Sequence, residues 1–530
     1  MDEAAASAGI DDLVQTVEEE VGVPMDALAV AAFLESKGLR DVDAIQDYER
    51  PHIFGLAADI YAMVLARAGA ADDAPAPEAL SRMAALRRFV VLYLRGLLFA
   101  LPMAGQVFAV LVLRYNLWAW LDFSPMQASV VAIGTIGSFV ITGGLVQAIG
   151  REGTFYASQK NWLLLDRVGR RLILIGTVLG AAGIVGSLAA NVVLPLFTPT
   201  QLTIALLYFG LLTSLWLWFA MLYMLEAHAV TLGTTAVGVG VVHLVMQATG
   251  WGIHLAHAAG LLAANGAAAA YTVWAIRRKF GDMPDKYKLS RLPRPAVFVH
   301  IVKPFLAYGT LYFTFLFTDR MVGWTASDAP LPLFLWFRTS YELGMDWALI
   351  ALVFTIAVLE YTIHEFGRVI IPYQQFFLGA AYEEHNRHFT TFYRRQRGML
   401  LVACILAVGG VFVGGLWLST FEQFRLVRDF FANDITWYTY FGASLGYSLL
   451  AFGLLDGLFF FSLARPWPVV RNMAAGLLVN VVVGYAASRL GPYWLSIFGL
   501  IAGAGTFAWR MSRDARKMFR TLDHAYYAAF

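Results

Sequence analysis

The chain has 530 residues, 59% of them hydrophobic and only 14% charged, with a mean hydropathy of +0.62. A water-soluble fold cannot hide that much apolar sequence, so the bilayer has to be the solvent. The formal charge of +2 conceals two opposed regions: residues 1–79 hold 17 acidic and 4 basic side chains, and the remainder holds 20 acidic and 35 basic ones.

Residues 1–79 read as an acidic helical cytoplasmic unit and linker. Ile10, Leu13, Val14, Val17 and Val21 recur at helical spacing, and Ala57, Ile60, Tyr61, Val64 and Leu65 repeat the pattern. Asp41-Val42-Asp43 has the Asp-x-Asp form that glycosyltransferases use to hold a metal-bound sugar nucleotide. Here it stands in an acidic helical segment with no preceding strand, so a solvated face is the expected reading. Ala68 to Pro77 has linker composition. So short a unit is expected to have little core of its own and to dock on something. Its acidity argues against nucleic acid and against anionic headgroups. No basic stretch followed by an apolar one marks a cleaved signal peptide at the N-terminus.

Twelve apolar stretches follow, near 96–120, 126–149, 172–196, 201–225, 230–252, 254–276, 302–324, 346–371, 399–419, 437–463, 467–488 and 493–510. The expected architecture is an all-α polytopic membrane protein of about twelve transmembrane helices in two six-helix bundles. Residues 80–298 hold the first bundle and a central basic loop; residues 299–530 hold the second bundle and a basic tail. Basic residues gather after the second stretch (Arg151, Lys160, Arg167, Arg170, Arg171), the sixth (Arg277 to Arg294), the eighth (Arg387, Arg394, Arg395, Arg397) and the twelfth (Arg510 to Arg520). These segments share one side if the count is even, which puts both termini in the cytoplasm. Two basic, aromatic-containing loops, Phe155 to Arg171 and Tyr382 to Arg397, occupy equivalent places in the halves and suggest parallel repeats.

Charges inside spans mark a pathway or a buried pair. Asp319 and Arg320 are adjacent, so they point about 100° apart and each needs another partner. A route for cargo, a packing clamp between the bundles and snorkelling to the outer surface all fit. Glu360, His364 and Arg368 fall at successive i,i+4 positions and share a face, as a proton- or substrate-binding stripe or a self-satisfied one. Asp456 lines a cavity or bonds between helices. His254 and His257 share a face at the start of the sixth span; two histidines are too few for a metal site, and an interfacial position is expected. Trp118, Trp120, Trp216, Trp218, Trp324, Trp336 and Trp347 suit an interfacial belt or stacking on sugar rings. Gly176, Gly180, Gly183 and Gly186 suit close helix packing. The single cysteine, Cys404, is a core residue. No phosphate-binding loop, zinc motif or nucleophile elbow appears, so no cofactor, no metal and no catalytic residue is expected.

The seventh stretch reads TLYFTFLFTDRMVGW. With its aliphatic-aromatic run, the pair Asp319-Arg320 and Trp324, it resembles the PelG family, the exopolysaccharide exporters of the Pel system within the multidrug/oligosaccharidyl-lipid/polysaccharide flippase superfamily. Arg338, Ser340, Tyr341, Glu342 and Leu343 resemble that family's segment before the eighth helix, and Glu365 and Tyr373 its close. Gly453, Leu454, Leu455, Asp456, Phe459 and Phe460 resemble part of the tenth, and Gly143 and Gln147 part of the second. The acidic extension, and an arginine at 320 where lysine is common, depart from the family pattern.

The resemblance implies a bacterial inner-membrane, multi-pass, biofilm-type exporter that moves a polysaccharide or its lipid-linked precursor outward. It would work with a cytoplasmic glycosyltransferase and other membrane components of a secretion complex. Asp319, Arg320, Arg338, Tyr341, Glu360, His364 and Asp456 are the expected pathway residues. The alternative is a cation-coupled small-molecule efflux carrier, with Glu360, His364 and Asp456 as ion-linked groups. A membrane enzyme acting on sugars and a scaffold without transport activity rank behind these.

Overall fold

The computed structural model describes residues 3–24, 26–70, 81–98, 101–282, 292–375, 382–422 and 424–522. Most of the linker expected between Ala68 and Pro77, together with Lys286, Lys288, Arg291 and the side chain of Tyr373, lies outside these described residues. By contact the chain divides into two compact units. One holds residues 1–92, 360–396 and 516–530; the other holds residues 93–359 and 397–515.

The N-terminal segment forms four helices, α1 (Glu3–Glu20), α2 (Ala27–Ser36), α3 (Asp41–Tyr48) and α4 (Ile53–Ala70). The helical spacing read from the sequence places Ile10, Val14 and Val17 of α1 against Val30, Ala31 and Leu34 of α2 and Leu56, Ala57, Ile60 and Val64 of α4, all buried. The unit therefore has a core of its own, more than its length alone suggested. Asp41 and Asp43 are spent on capping. The Ile53 N–H at the start of α4 donates to Asp41 at 2.8 Å, and the Arg40 N–H at the start of α3 donates to Asp43 at 2.9 Å. Both carboxylates lie at helix N-termini, where backbone N–H groups and the helix dipole favour negative charge. The Arg40 guanidinium beside Asp43 also holds that carboxyl below its ordinary range.

The membrane part begins with α5 (Arg82–Leu98) and α6 (Leu101–Leu113), which meet at 63°. It continues with α7 (Pro125–Ser158), α8 (Trp162–Val193), α9 (Pro199–Met224), α10 (His228–Ala248), α11 (Ile253–Lys279), α12 (Pro295–Trp324), α13 (Thr339–Gln375) and α14 (Tyr382–Ser419). A short α15 (Arg425–Phe431) precedes α16 (Asp434–Ser462), α17 (Trp467–Leu490) and α18 (Ile497–Arg520). Among the described residues ten helices are long and apolar enough to cross a bilayer, eleven if the bent α5–α6 pair is one span. The protein is a multi-pass, all-helical membrane protein.

Two expected spans differ from plain crossings. The first breaks between α5 and α6 and stops at Leu113, where Arg114 takes a left-handed conformation (φ 69°) and an antiparallel bridge joins Tyr115 to Trp120. The twelfth starts as a 3₁₀ turn, Tyr493–Ser496, and α18 then carries Arg510, Arg513 and Asp514 in mid-helix. The two basic loops expected after the second and eighth stretches are mostly helix. At ~1.5 Å per residue, the 34 residues of α7 reach ~51 Å, far beyond a hydrocarbon core of ~30 Å. Only a turn at Gln159–Asn161 separates α7 from α8. In the second half, Thr362 on α13 donates to Gln396 on α14 at 3.1 Å along the corresponding extension. There Phe366, Phe389, Phe392, Tyr393 and Phe519 pack ring against ring.

The halves repeat each other in helix pairing. In the first, α7 packs on α8 and α9, α9 on α11, α10 on α11, and α6 on α10. In the second, α13 meets α14 and α16, since Thr436 of α16 donates to the Ser340 carbonyl at 3.1 Å. Helix α16 meets α14 through Tyr440, which donates to the Val408 carbonyl at 2.7 Å, and α18 through Gly453 against Phe507. Helix α12 lies on α17. The cross-contacts are equivalent too: α12 lies along α7, and Tyr93 of α5 donates to the Phe354 carbonyl of α13 at 3.2 Å.

Backbones touch where α7 crosses α12. A Cβ built on Gly309 would stand 2.2 Å from the Gly143 carbonyl oxygen, and one on Gly143 would stand 2.7 Å from that of Gly309. Hydrocarbon offers no hydrophobic drive between helices, so such close approach supplies the attraction through van der Waals contact. Gly309→Ala is expected to cost about 1–3 kcal/mol through overpacking, read as a lower melting midpoint in detergent. Gly150→Ala, at a position with open space around it, is the matched control and should melt as the parent does.

Candidate functional site

Asp319 and Arg320 lie near the end of α12, and both are buried. Their neighbours come from the start of α13, where Tyr341 and Glu342 are likewise adjacent. The Tyr341 hydroxyl donates to Asp319 at 2.6 Å. Arg320 donates to Glu342 at 2.5 Å and to Asp346, one turn further along α13, at 2.9 Å. The second oxygen of Glu342 accepts the indole N–H of Trp324 at 2.7 Å. Two side chains a residue apart on one helix thus bond to two side chains a residue apart on the other.

Two carboxylates, Glu342 and Asp346, share this one guanidinium, and Asp319 stands beside it in the chain. Glu342 is 5% exposed and Asp346 62% exposed. Hydrocarbon would penalise a carboxylate so exposed in a spanning helix, which argues for a wet surface at Asp346. Around the buried members, one oxygen of Asp319 has no hydrogen-bond partner among the described residues. Tyr447 of α16 is close enough to feel both Asp319 and Arg320.

An aromatic row leads to the same place. Trp118 meets Trp216 edge to face, and Trp216 stacks on Phe139 with centroids 4.5 Å apart. Phe139 of α7 stacks in turn on Phe313 and Phe317 of α12, at 5.3 and 5.6 Å. The Arg320 guanidinium sits 5.8 Å from the Phe317 ring. These rings are half-buried, so they offer faces as well as fill space. Trp324 is 1% exposed and bonded to Glu342, which removes it from both the interfacial belt and the stacking surface.

The other expected pathway residues stand apart. Arg338 donates to the Ala326 carbonyl at 2.6 Å and covers the Tyr493 ring at 4.7 Å, beside the cluster but not bonded to it. Glu360 and His364 do face each other one helical turn apart, with a carboxylate oxygen 3.4 Å from Nδ1. Arg368, expected on their stripe, turns instead to Glu365, which also accepts from Arg88 at 3.1 Å. Asp456 is fully buried, accepts from Arg397 at 2.8 Å and from Ser512 at 2.9 Å, and so ties α14, α16 and α18 together. His257 is fully buried one turn from the start of α11; it and His254 both bond to Tyr208. The sequence reading missed Asp346, Phe139, Phe313 and Phe317. Asp346 had a usable signal, four residues after Glu342 on a helix that starts earlier than hydropathy suggests.

The pairing of the halves matches a known arrangement. Solved structures of similar fold include an outward-facing multidrug resistance MATE family transporter of the MOP superfamily (TM-score 0.56, 12% identity, covering 82% of this chain and 96% of that one). Another is a MOP superfamily transporter from Pyrococcus furiosus Vc1, described as having a binding pocket of reversed polarity (TM-score 0.54, 12% identity, 82% and 96%). A third is a mutant of the Vibrio cholerae MATE transporter VcmN (TM-score 0.52, 16% identity, 83% and 98%). The fold is that of the MOP transporters. No family model matches the chain, and no curated protein does. Within this MOP fold, the acidic cluster and the aromatic row both involve α12, the helix whose backbone touches α7.

If the cluster's chief role is to neutralise Arg320, breaking it should destabilise the fold strongly. Glu342→Gln is expected to cost about 3–5 kcal/mol, because it strips a buried guanidinium of a charged partner. Arg320→Met with Glu342→Gln should recover part of that loss. Melting midpoints in detergent measure both, and a single variant as stable as the parent would remove the clamp.

Proposed function

We propose that this chain is a cation-coupled carrier that moves a small aromatic or amphipathic cation across a membrane, and that it is not an enzyme. The carrying observation is the charge imbalance at the end of α12, where Asp319, Glu342 and Asp346 face a single Arg320. A buried group with surplus negative charge gains free energy by taking up a proton or a metal cation. Asp346 keeps one member of the group in contact with water. The row Trp118, Trp216, Phe139, Phe313 and Phe317 supplies ring faces, on which a cationic or aromatic cargo gains about 0.5–2 kcal/mol per contact. The MOP fold, and the multidrug resistance role given for one solved structure that shares it, support the same reading. The ion-linked groups are then Asp319, Glu342 and Asp346 in place of Glu360, His364 and Asp456.

The test uses the full chain in proteoliposomes with ethidium as the probe. An imposed proton or sodium gradient should drive ethidium flux, Asp346→Asn should abolish the gradient dependence, and Phe139→Ala should weaken binding several-fold. Flux indifferent to both gradients would remove the cation-coupled reading.

A second reading, exopolysaccharide export, is favoured by one specific observation. The residues that carry the resemblance to the PelG exporters come together in two adjacent hydrogen-bonded sets, Asp319 with Tyr341 and Arg320 with Glu342 and Trp324. In that reading the ring faces stack on sugars and the acidic N-terminal helices dock a cytoplasmic glycosyltransferase. The chain would sit in a bacterial inner membrane with both termini inside. Loss of secreted polymer on deletion of the chain, with ethidium flux absent, would decide for it.

A further inference from the structure

We propose that Tyr208, His254 and His257 form a proton-binding relay in the first half of the molecule, reached from the end where α7, α9 and α11 begin. The Tyr208 oxygen lies 3.2 Å from Nδ1 of His254 and 2.6 Å from Nδ1 of His257. Tyr208 and His257 are fully buried, whereas His254 is partly exposed. A hydroxyl has one proton, so it donates to one ring and accepts from the other.

The neighbouring amide fixes which. The Gln127 carbonyl oxygen accepts the N–H of Ser124 at 3.1 Å and its hydroxyl at 3.2 Å, at the N-terminus of α7. That turns the Gln127 NH₂ toward Nε2 of His254, 3.5 Å away, so this nitrogen is the bare one. His254 then carries its proton on Nδ1 and donates to Tyr208, and Tyr208 donates to Nδ1 of His257. All the bonds run in one direction. They end at Nε2 of His257, which is buried on the side away from Tyr208.

A proton arriving from water binds Nε2 of His254, displacing the long Gln127 contact. The Nδ1–H of His254 passes to the Tyr208 oxygen while the Tyr208 proton passes to Nδ1 of His257. His254 is left neutral with its proton on Nε2, Tyr208 is again a neutral phenol, and the charge resides on His257. Phe123 stacks on His254 at 5.4 Å and 14° and lies 6.1 Å from His257 at a steep angle, so its π face steadies the imidazolium that forms first, at His254, before the charge passes inward. Charge on one ring opposes charge on the other in so dry a place, so the pair holds one proton at a time.

The other titratable groups nearby are already engaged. His243 of α10 bonds to Tyr115 at 2.7 Å. Arg114 and Asp122, on the turn before α7, pair with each other at 2.6 Å in solvent. The Asn116 backbone faces His257. No hydrogen bond or ion pair ties a charged side chain to either ring among the described residues. The relay stands independently of the carrier reading, because it is tested by ring protonation and not by flux.

The experiment is histidine ¹⁵N NMR on the full chain in lipid nanodiscs, titrated between about pH 5 and 8, with single His→Gln variants for assignment. His254 and His257 should respond in one shared transition. Tyr208→Phe should leave His254 responding and silence His257, and His254→Gln should silence His257 by a second route. His243→Gln should change neither. Separate transitions, a ring unresponsive in the parent, or a His257 response that survives in either relay variant would overturn the proposal.

Discussion

Arg320 cannot shed its charge, yet it stands in a helix that crosses hydrocarbon, and that constraint organises the end of the second half. The counter-charge comes from α13, and its placement follows from helix geometry. Adjacent residues point about 100° apart, so Asp319 and Arg320 need partners separated in the same way. Tyr341 and Glu342 provide them. The two bonds fix both the height and the rotation of α13 against α12, which a single ion pair would not do. Trp324, one turn beyond Arg320, then holds the remaining oxygen of Glu342.

Because α12 also lies along α7, order at this cluster reaches the first half. The contact closes through glycine backbones at Gly143 and Gly309, and through the stack of Phe139 on Phe313 and Phe317. Under the repeat, α5 against α13 is the same contact seen from the other side. The four helices that join the halves are thus the first two of each. Of the half-buried rings, Phe139, Phe313 and Phe317 belong to two of these helices, whereas Trp216 stands on α9 and Trp118 on the segment before α7. Under the carrier reading, packing and cargo contact would fall to the same residues on α7 and α12.

Much of this was legible in the sequence, and what was not has identifiable causes. Hydropathy finds the spans because hydrocarbon imposes length and apolarity on each crossing. It misses how far the helices run, since beyond the bilayer charged residues such as Arg151 and Arg394 continue a helix as readily as a loop. The same bias started the eighth span at Asp346 and so treated that carboxylate as an end residue. Local pairs were readable: Glu360 with His364 and His254 with His257 announce themselves by spacing. The partners that give charges their meaning were not. Asp456 meets Arg397 across 59 positions and Tyr208 meets His257 across 49, and only the packing of distant helices brings them together. Phe139, Phe313 and Phe317 were hidden among 39 phenylalanines, with nothing local to single them out.

The difference in exposure between Glu342 and Asp346 gives the cluster two distinct roles. Glu342 is sealed and shares its oxygens between Arg320 and Trp324, so it holds the guanidinium in every state that keeps α12 against α13. Asp346 is bonded to the same guanidinium but remains in water, where an ion pair is worth little and is readily exchanged. A cation or proton taken up at Asp346 would release one bond of Arg320 without exposing a bare charge, because Glu342 stays in place. Binding there can loosen α13 from α12 by one interaction and leave the fold intact. Under the carrier reading, that asymmetry, one permanent partner and one replaceable partner for a single buried cation, would suit a coupling site better than a purely structural clamp.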